Sequence, residues 1–324
     1  MRRSHCLGGS MMLPFARKFL DQRFASVLIA LVVLSLGLMI ASEFFFTGRN
    51  LSNVSRQISV VAIVALGQTL VIMSGGIDLS VGSNIGLSAV AAALVQQATG
   101  SPALAVTAAI SCGMAIGLAN GLLVSVFRIN PFIATLGMLS VARGLALLAT
   151  GGLPYEFRGW AAFFGHGRIG GLSVSFVILL VLTALFLVIS IYTRLGRNIL
   201  AVGDNSRAAR LAGVDVRAVT IQVYVLCGMT CGIGGLLLAG TLRSANPNLG
   251  MGYELDVIAA VILGGTALSG GRGSIIGAVI GAVLMGVLRN AFVLLDVSAY
   301  WQVVAIGVVV LMAVGVDSVR RSRT

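Results

Sequence analysis

The sequence is poor in charge and in the side chains that most enzymes use. Only 10% of its 324 residues are charged, 58% are hydrophobic, and it holds two histidines and four cysteines. So few charges over this length exclude an ordinary soluble domain. The histidines, His5 and His166, leave no visible nucleophile–base set, and the cysteines imply no disulfide framework. We therefore predict no catalytic residues, no cofactor and no metal site, and a membrane enzyme is the least favoured class.

Lysine is almost missing, and this bears on ATP. A P-loop needs a lysine followed by serine or threonine to hold phosphates and Mg²⁺. The single lysine is Lys18, and Phe19 follows it. The chain therefore cannot hydrolyse ATP by that route, and an ATP-driven activity would need a motor on another polypeptide.

Long apolar runs dominate what is present. Runs of about 17 to 25 apolar residues are long enough to cross a bilayer as helices. The sequence predicts an all-α integral membrane protein with about ten transmembrane helices in one domain, 24–317, between basic tails at 1–23 and 318–324. The ten predicted spans are 24–42, 57–73, 79–98, 103–127, 131–150, 173–192, 218–241, 255–270, 273–294 and 299–316.

The distribution of arginine predicts an orientation. With the N-terminus inside, 15 of the 22 Lys and Arg residues fall on the inner side and five on the outer side, while Arg143 and Arg289 lie within spans. Cytoplasmic loops of membrane proteins carry this excess, so the net charge of +12 indicates a membrane protein with both termini cytoplasmic rather than nucleic-acid binding. The first run suits a retained span, and a start at Met1, Met11 or Met12 stays open.

Glycines are placed at helical spacing. Small residues four apart on one helix face let two helix backbones approach closely in lipid. We therefore predict close helix packing at these positions. The two clearest stripes are Gly113, Gly117 and Gly121, and Gly273, Gly277 and Gly281.

Two glycine-rich stretches also resemble each other. "GGIDLSVGSNIGLSAVAAAL" begins at Gly75, and "GGTALSGGRGSIIGAVIGAVL" begins at Gly264. Each joins two apolar runs through a glycine-rich break. A duplicated unit with helix breaks near a solute path is one explanation, and chance similarity in apolar sequence is the other.

Polar residues at these breaks are the candidates for a solute path. Asp78 follows two glycines and precedes an apolar run, where we favour a helix-capping role over an ion or proton site. Asn84 follows in the same stretch, and Glu254 and Asp256 precede a later run. Arg143 lies deep within a span, and we expect it to pair with Asp78, Glu254 or Asp256.

The long inner loop, 193–219, carries five arginines and two aspartates. Asn205 or Ser206 is placed to cap a short helix over 207–212, which Gly213 would end. An isolated helix that short is marginal in water, so a docking helix for a cytoplasmic partner is the sharper interpretation and a solvated basic loop the simpler one.

Four stretches together resemble the permease subunits of bacterial ABC importers, in the ribose-type sugar permease family. They are "GGIDLSVGS" at 75–83, "GLANGLLV" with "NPFIATLGMLSVARGLAL" at 117–147, "GRNILAVGDNSRAARLAGVDV" at 196–216 and "YELDVIAAVILGGTALSGGRGS" at 253–274. The resemblance covers about residues 24–317. It implies two permease subunits, a pair of cytoplasmic ABC ATPases and a periplasmic solute-binding protein that delivers a monosaccharide or related polyol.

The resemblance also implies an ATPase-docking site. Ala208-Ala209-x3-Gly213 is similar to the docking pattern Glu-Ala-Ala-x3-Gly of ABC importers, but Arg207 stands where glutamate is usual and no Leu-Pro follows. The residues expected to form this site are Asn205, Arg207, Ala208, Ala209, Arg210 and Gly213.

Several alternatives remain at this stage. An ABC permease for branched-chain amino acids or for autoinducer-2 would have a similar architecture, and an ion-coupled secondary transporter is the rival from a different class. The sequence chooses neither the sugar nor whether the second permease is another copy or a different chain. The outer loop at 151–171, with Tyr155, Trp160 and His166, suits either a binding protein or the membrane interface.

Overall fold

The computed structural model describes residues 22–157 and 161–321, which form twelve helices and four two-residue strands. The helices are α1 (Gln22–Ala41), α2 (Gly48–Met73), α3 (Val81–Thr99), α4 (Pro102–Ser125), α5 (Pro131–Thr150), α6 (Ala161–His166), α7 (Val174–Tyr192), α8 (Arg194–Leu211), α9 (Val216–Leu242), α10 (Tyr253–Leu263), α11 (Ile275–Leu294) and α12 (Ala299–Arg321). The strands are β1 (Tyr155–Glu156), β2 (Arg168–Ile169), β3 (Leu172–Ser173) and β4 (Ser244–Ala245). Residues 1–21, 158–160 and 322–324, which include most of the predicted N-terminal tail, Arg158 and Trp160, lie outside the described residues.

The all-α membrane class is confirmed, and the number of spans is confirmed only in part. Among the described residues, six helices are long and apolar enough to cross a membrane: α2, α4, α5, α7, α9 and α11. The apolar parts of α1 and α12, Val27–Ala41 and Ala299–Met312, are shorter. Helix α3 has 19 residues but includes Ser83, Asn84 and Ser88, which lower its hydropathy. Ten spans are therefore not established.

The span predicted over 255–270 is wrong. Helix α10 has only 11 residues and ends at Leu263, and a turn leads from Gly264 to the start of α11 at Ile275. Gly265 adopts a left-handed φ of 86°, which a glycine reaches without a steric penalty. The apolar composition continues through this turn, so hydropathy does not reveal where the helix stops.

Helix α2 forms the centre of the fold. All fifteen residues from Ser59 to Met73 are buried, against α9, α11 and α7 among others. Large apolar side chains on α5 and α7, by contrast, are exposed in the isolated chain, as Ile133, Leu148 and Val181 show. This arrangement places one helix in a protein environment and leaves others facing lipid or another subunit.

Glycines make the tightest helix contact, between α4 and α9. A Cβ on Gly113 would collide with the carbonyl oxygen of Gly228, and a Cβ on Gly232 would lie 2.5 Å from the Ala109 oxygen. A Cβ on Gly121 would lie 2.9 Å from the Cα of Ile221. The close packing predicted from the first glycine stripe is therefore confirmed, and it holds α4 and α9 at backbone contact.

Two small antiparallel pairs organise the connections. Strand β1, after α5, pairs with β4, after α9, with Tyr155 opposite Ala245. Strand β2 pairs with β3 before α7. The β1–β4 pair joins two connections that are distant in sequence, the one after α5 and the one after α9.

Candidate functional site

The first glycine-rich break, 74–80, ends α2 and starts α3. Gly75 has a φ of 83°, and the backbone N–H of Gly76 donates to the Val71 oxygen at 3.0 Å, which closes the end of α2. Tyr224 of α9 donates its hydroxyl to the Ile77 oxygen at 2.9 Å. The break is therefore fixed by bonds to α2 and α9.

Asp78 lies inside this break, and its side chain is 1% exposed. Its Oδ1 accepts hydrogen bonds from the backbone N–H and the hydroxyl of Ser80 at 2.8 and 2.6 Å. The Nδ2 of Asn120, on α4, lies 3.3 Å from both carboxylate oxygens. All of these partners are neutral. The N-cap residue of α3 is Ser80, and no side chain among the described residues caps the first turn, so the predicted capping of the helix by Asp78 is wrong; Asp78 instead closes the turn that precedes Ser80.

Asn84 is also buried, at 1% exposure. Its Nδ2 donates to the Gly113 oxygen of α4 at 3.2 Å, and its Oδ1 accepts from the Ser88 hydroxyl at 3.1 Å. The Nδ2 of the amide thus joins α3 to α4, while its Oδ1 is used within α3. In the isolated chain, this side chain holds two helices together and does not face an open space.

The loop before α10, 246–252, packs on a glycine face of α3. A Cβ on Gly86 would lie 2.7 Å from the Leu249 oxygen, and one on Gly82 would collide with the Glu254 carboxylate. Gly250, with a φ of 75°, lies against the same face. Gly82 and Gly86 thus admit a loop and a carboxylate rather than a second helix.

Arg143 of α5 holds this loop from the other side. Its NH1 donates to the Pro247 oxygen and, at 3.0 Å, to the Leu249 oxygen. Backbone carbonyls of the loop accept the hydrogen bonds of Arg143. The predicted carboxylate partner is therefore wrong for these bonds. Glu254 acts on Arg143 only through longer-range charge attraction. Arg143, Glu254 and the loop form one group around Gly82 and Gly86.

Asp256 belongs to a different contact. Its carboxylate forms an ion pair with Arg289 of α11, and its side chain is 1% exposed. One helical position further on, Asn290 and Asn50 exchange two amide hydrogen bonds of 2.8 and 3.0 Å. These polar bonds fasten α10 to α11 and α11 to α2.

The two glycine-rich breaks share their first half. At the second break, the N–H of Gly265 donates to Ile262 and that of Thr266 to Val261, which repeats the bonds of Gly75 and Gly76 to Ile72 and Val71. The breaks then differ, because 7 residues separate α2 from α3 and 11 separate α10 from α11. The shared Gly-Ser-x-Ile-Gly begins inside α3 at Gly82 but caps α11 through Ser274.

The inner loop folds as one kinked helix. Helix α8 begins at Arg194, and Asn205 interrupts it with a φ of −153° and a ψ of 98°. The Oδ1 of Asn205 accepts from the N–H groups of Arg207 and Ala208 at 3.1 and 3.0 Å, so the predicted cap is present. The segment ends at Gly213, whose φ is 86°. We call residues 205–213 the docking segment.

The docking segment has an inner and an outer face. Ala209 is buried at 5% exposure and belongs to the main apolar core. Leu211 is 91% exposed, and Arg207, Ala208 and Arg210 are exposed as well. The outer face therefore combines one large apolar side chain with two arginines.

A cavity of about 490 Å³ opens beside β1. Its position places it at the end of α3 and α5 opposite to the docking segment. The residues that line it are Gln96, Gln97, Thr150, Leu153, Pro154, Tyr155 and Glu156.

The structure does not gather the predicted path residues into one site. Asp78 and Asn84 bond to α4, Arg143 and Glu254 flank the 246–252 loop, and Asp256 pairs with Arg289. The predicted set omitted three partners, Asn120, Tyr224 and Arg289. Polar or ionisable residues inside apolar runs are the signal that marks Asn120 and Arg289.

Comparisons with known protein sequences show the family of the chain. The sequence model of the family described as "Branched-chain amino acid transport system / permease component" matches residues 50–314. The ribose import permease protein RbsC of Escherichia coli K12 is 43% identical over 300 residues, which cover 90% of this chain and 92% of that protein.

Two further relatives cover similar lengths. The RbsC protein of Bacillus subtilis is 38% identical over 89% of this chain and 91% of its own length. The galactose/methyl galactoside import permease protein MglC of Escherichia coli K12 is 34% identical over 92% of this chain and 94% of its own length. The chain therefore belongs to the permease components of ABC importers, in the ribose-type sugar branch of the family that this model describes.

Proposed function

We propose that the chain is the membrane subunit through which an ABC importer passes a monosaccharide or related polyol. The relatives named for ribose and galactose support a sugar over a branched-chain amino acid. The docking segment is the observation that carries the proposal, because its outer face is left exposed by the described residues of the chain. Separate ATPase subunits would supply the energy.

The outer face of the docking segment fits a protein partner in the cytoplasm. Burying a leucine side chain such as Leu211 stabilises a contact by about 1.5–3 kcal/mol. Arg207 and Arg210 beside it add positive charge that an acidic rim would complement. We assign this face to an ABC ATPase, and Ala209 and Gly213 to holding the segment in place.

The opposite end of the molecule is assigned to the periplasm. The excess of arginine on the docking-segment side supports cytoplasmic termini and a cytoplasmic docking segment. The cavity beside β1 then faces the periplasm, where a solute-binding protein would deliver the sugar. A second permease subunit would cover exposed apolar faces such as that of α5.

Alternating access is the mechanism we assign to the assembly. ATP-driven closure of the ATPases would displace the docking segments, and the helices would tilt to open the path to each side in turn. Asp78, Asn84, Arg143, Glu254 and Asp256 remain our candidates along this path, with roles in fixing the helix breaks that border it.

The test is affinity purification from native membranes with mass spectrometry of the proteins that co-purify. We expect an ATPase with a P-loop to co-purify with the parent chain. Leu211→Asp should reduce its recovery at least about tenfold, since a contact worth 1.4 kcal/mol or more is lost. Leu153→Asp is the matched control, because Leu153 is exposed to 68% at the other end and should leave recovery unchanged.

Two outcomes would contradict the proposal. Equal recovery with Leu211→Asp would remove the docking segment from the ATPase contact. A preparation that contains no ATPase and still transports solute after reconstitution, with sensitivity to ionophores, would favour the ion-coupled carrier.

A further inference from the structure

Three backbone segments meet at Gly203 without side chains between them. The N–H of Gly271, in the second break, donates to the Met73 oxygen at the end of α2 at 2.9 Å. A Cβ on Gly203 would collide with that same Met73 oxygen and lie 2.5 Å from the Gly271 nitrogen. We call residues 73–75, 203–204 and 270–271 the glycine junction.

The other glycines of the junction are equally close. A Cβ on Gly270 would lie 2.8 Å from the Gly203 oxygen and 2.9 Å from the Cα of Gly75. A Cβ on Gly271 would lie 2.9 Å from the Cα of Asp204. Real Cβ atoms essentially never come this close to backbone atoms, so no side chain fits at Gly203, Gly270 or Gly271.

The junction connects the docking segment to both helix breaks. Gly203 is two residues before the kink at Asn205, where the docking segment begins. Met73 and Gly75 lead into the first break, which contains Asp78, and Gly270 lies in the second. Backbone contact at van der Waals distance transmits displacement without the slack of flexible side chains.

We propose that the glycine junction couples ATP hydrolysis to transport by moving the two helix breaks together with the docking segment. This inference rests on the proposed function. Gly203 is a positioning residue in it and contacts neither sugar nor ATPase. The three segments stay in contact through the cycle and move as one body.

The first test is Gly203→Ala in the purified complex with its ATPase and binding protein, reconstituted in proteoliposomes. The added methyl group must push apart the docking segment and the breaks. We expect ATPase recovery to stay at the parent level and the sugar imported per ATP hydrolysed to fall at least tenfold. Gly137→Ala is the control, since a Cβ on Gly137 meets nothing within 4 Å.

The second test uses the unchanged chain, so it does not depend on the folding of that variant. The N–H of Gly271 donates to the Met73 oxygen across the junction at 2.9 Å. We expect this amide to stay protected from hydrogen exchange in the assembled complex, both with ATP bound and after hydrolysis, because the proposal has both segments moving together.

Each failure has a distinct meaning. Absence of a co-purifying ATPase would remove the proposed function itself. With the ATPase bound, an unchanged sugar-to-ATP ratio in Gly203→Ala would overturn only the coupling role. Loss of protection of the Gly271 amide in one nucleotide state would show that the segments separate and would overturn it as well.

Discussion

Among single residues, Asp78 has the most restrictive surroundings. Its carboxylate is buried and accepts hydrogen bonds from Ser80 and Asn120, while the Asn120 Oδ1 has no donor among the described residues. An asparagine at position 78 would keep the bonds from Ser80. Its new Nδ2 would also donate a hydrogen bond to the Asn120 Oδ1 once the side-chain amide of Asn120 has rotated. The site therefore suits a neutral side chain of the same shape.

We accordingly expect Asp78→Asn to retain transport within about twofold and normal membrane levels. Asp78→Ala leaves several buried donors unpaired, at a cost of roughly 1–3 kcal/mol each, and should lower the amount of folded protein. Sugar uptake and immunoblots of membranes measure both effects. Near-total loss of uptake in Asp78→Asn at normal membrane levels would instead assign a charge-dependent role to Asp78.

Arg143 shows why the hydrogen-bond partner of a side chain is harder to predict than its burial. The apolar run around Arg143 predicts that it faces protein, and it does so. Its hydrogen-bond acceptors are the carbonyls of Pro247 and Leu249, and every residue carries a carbonyl, so the sequence holds no signal for them. Aspartate and glutamate were the visible candidates only because their side chains are distinctive.

Arg143→Met should release the loop at 246–252. Loss of hydrogen bonds to a charged donor costs about 1.5–3 kcal/mol, so Leu249→Cys, at a position that is 8% exposed, should react with a maleimide at least about tenfold faster in this background. Val141→Met, on an exposed part of α5, is the control and should leave the rate unchanged. An equal rate in both backgrounds would show that Arg143 does not hold the loop.

Among the contacts between helices, the one between α4 and α9 depends most directly on glycine. Gly113→Val would force the two helices apart at Gly228. Overpacking of this kind costs about 1–3 kcal/mol, and we expect the unfolding temperature of the detergent-solubilised protein to fall by about 2–4 °C. Gly137→Val, in open space on α5, should not lower it, because valine has a higher helix propensity than glycine. Equal melting of both variants would contradict the close-packing explanation.

Helix boundaries were predictable where local chemistry marks them. Helix α5 has the predicted bounds, since Pro131 starts it and Gly151 ends it with a left-handed φ of 61°. Helix α10 is shorter than predicted, because its apolar run continues past the turn at Gly264. The start of α2 was also missed by nine residues, because Thr47 caps a polar first turn that lacks the hydropathy of a span.

For the whole molecule, orientation in the membrane decides which end of the helices faces the cytoplasm and which faces the periplasm. Leu153 lies in the connection between α5 and β1, and Leu211 lies in the docking segment; both are exposed. In intact cells whose outer membrane is permeable, a membrane-impermeant maleimide should label Leu153→Cys above the background of the native cysteines. Leu211→Cys should be labelled only in inverted vesicles. The reverse pattern would invert the proposed topology.

The short length of α10 has a consequence for electrical insulation. Eleven residues of helix rise about 16 Å, roughly half of a hydrocarbon core about 30 Å thick. Irregular backbone at that depth persists only where protein or water surrounds it, and Gly264, Thr266 and Gly270 of the following turn are indeed buried. We therefore expect the folded backbone of this turn, instead of a continuous helix, to complete the barrier to ions. A change that loosens this turn would therefore dissipate the membrane potential by ion leakage, even in a carrier whose sugar path is closed.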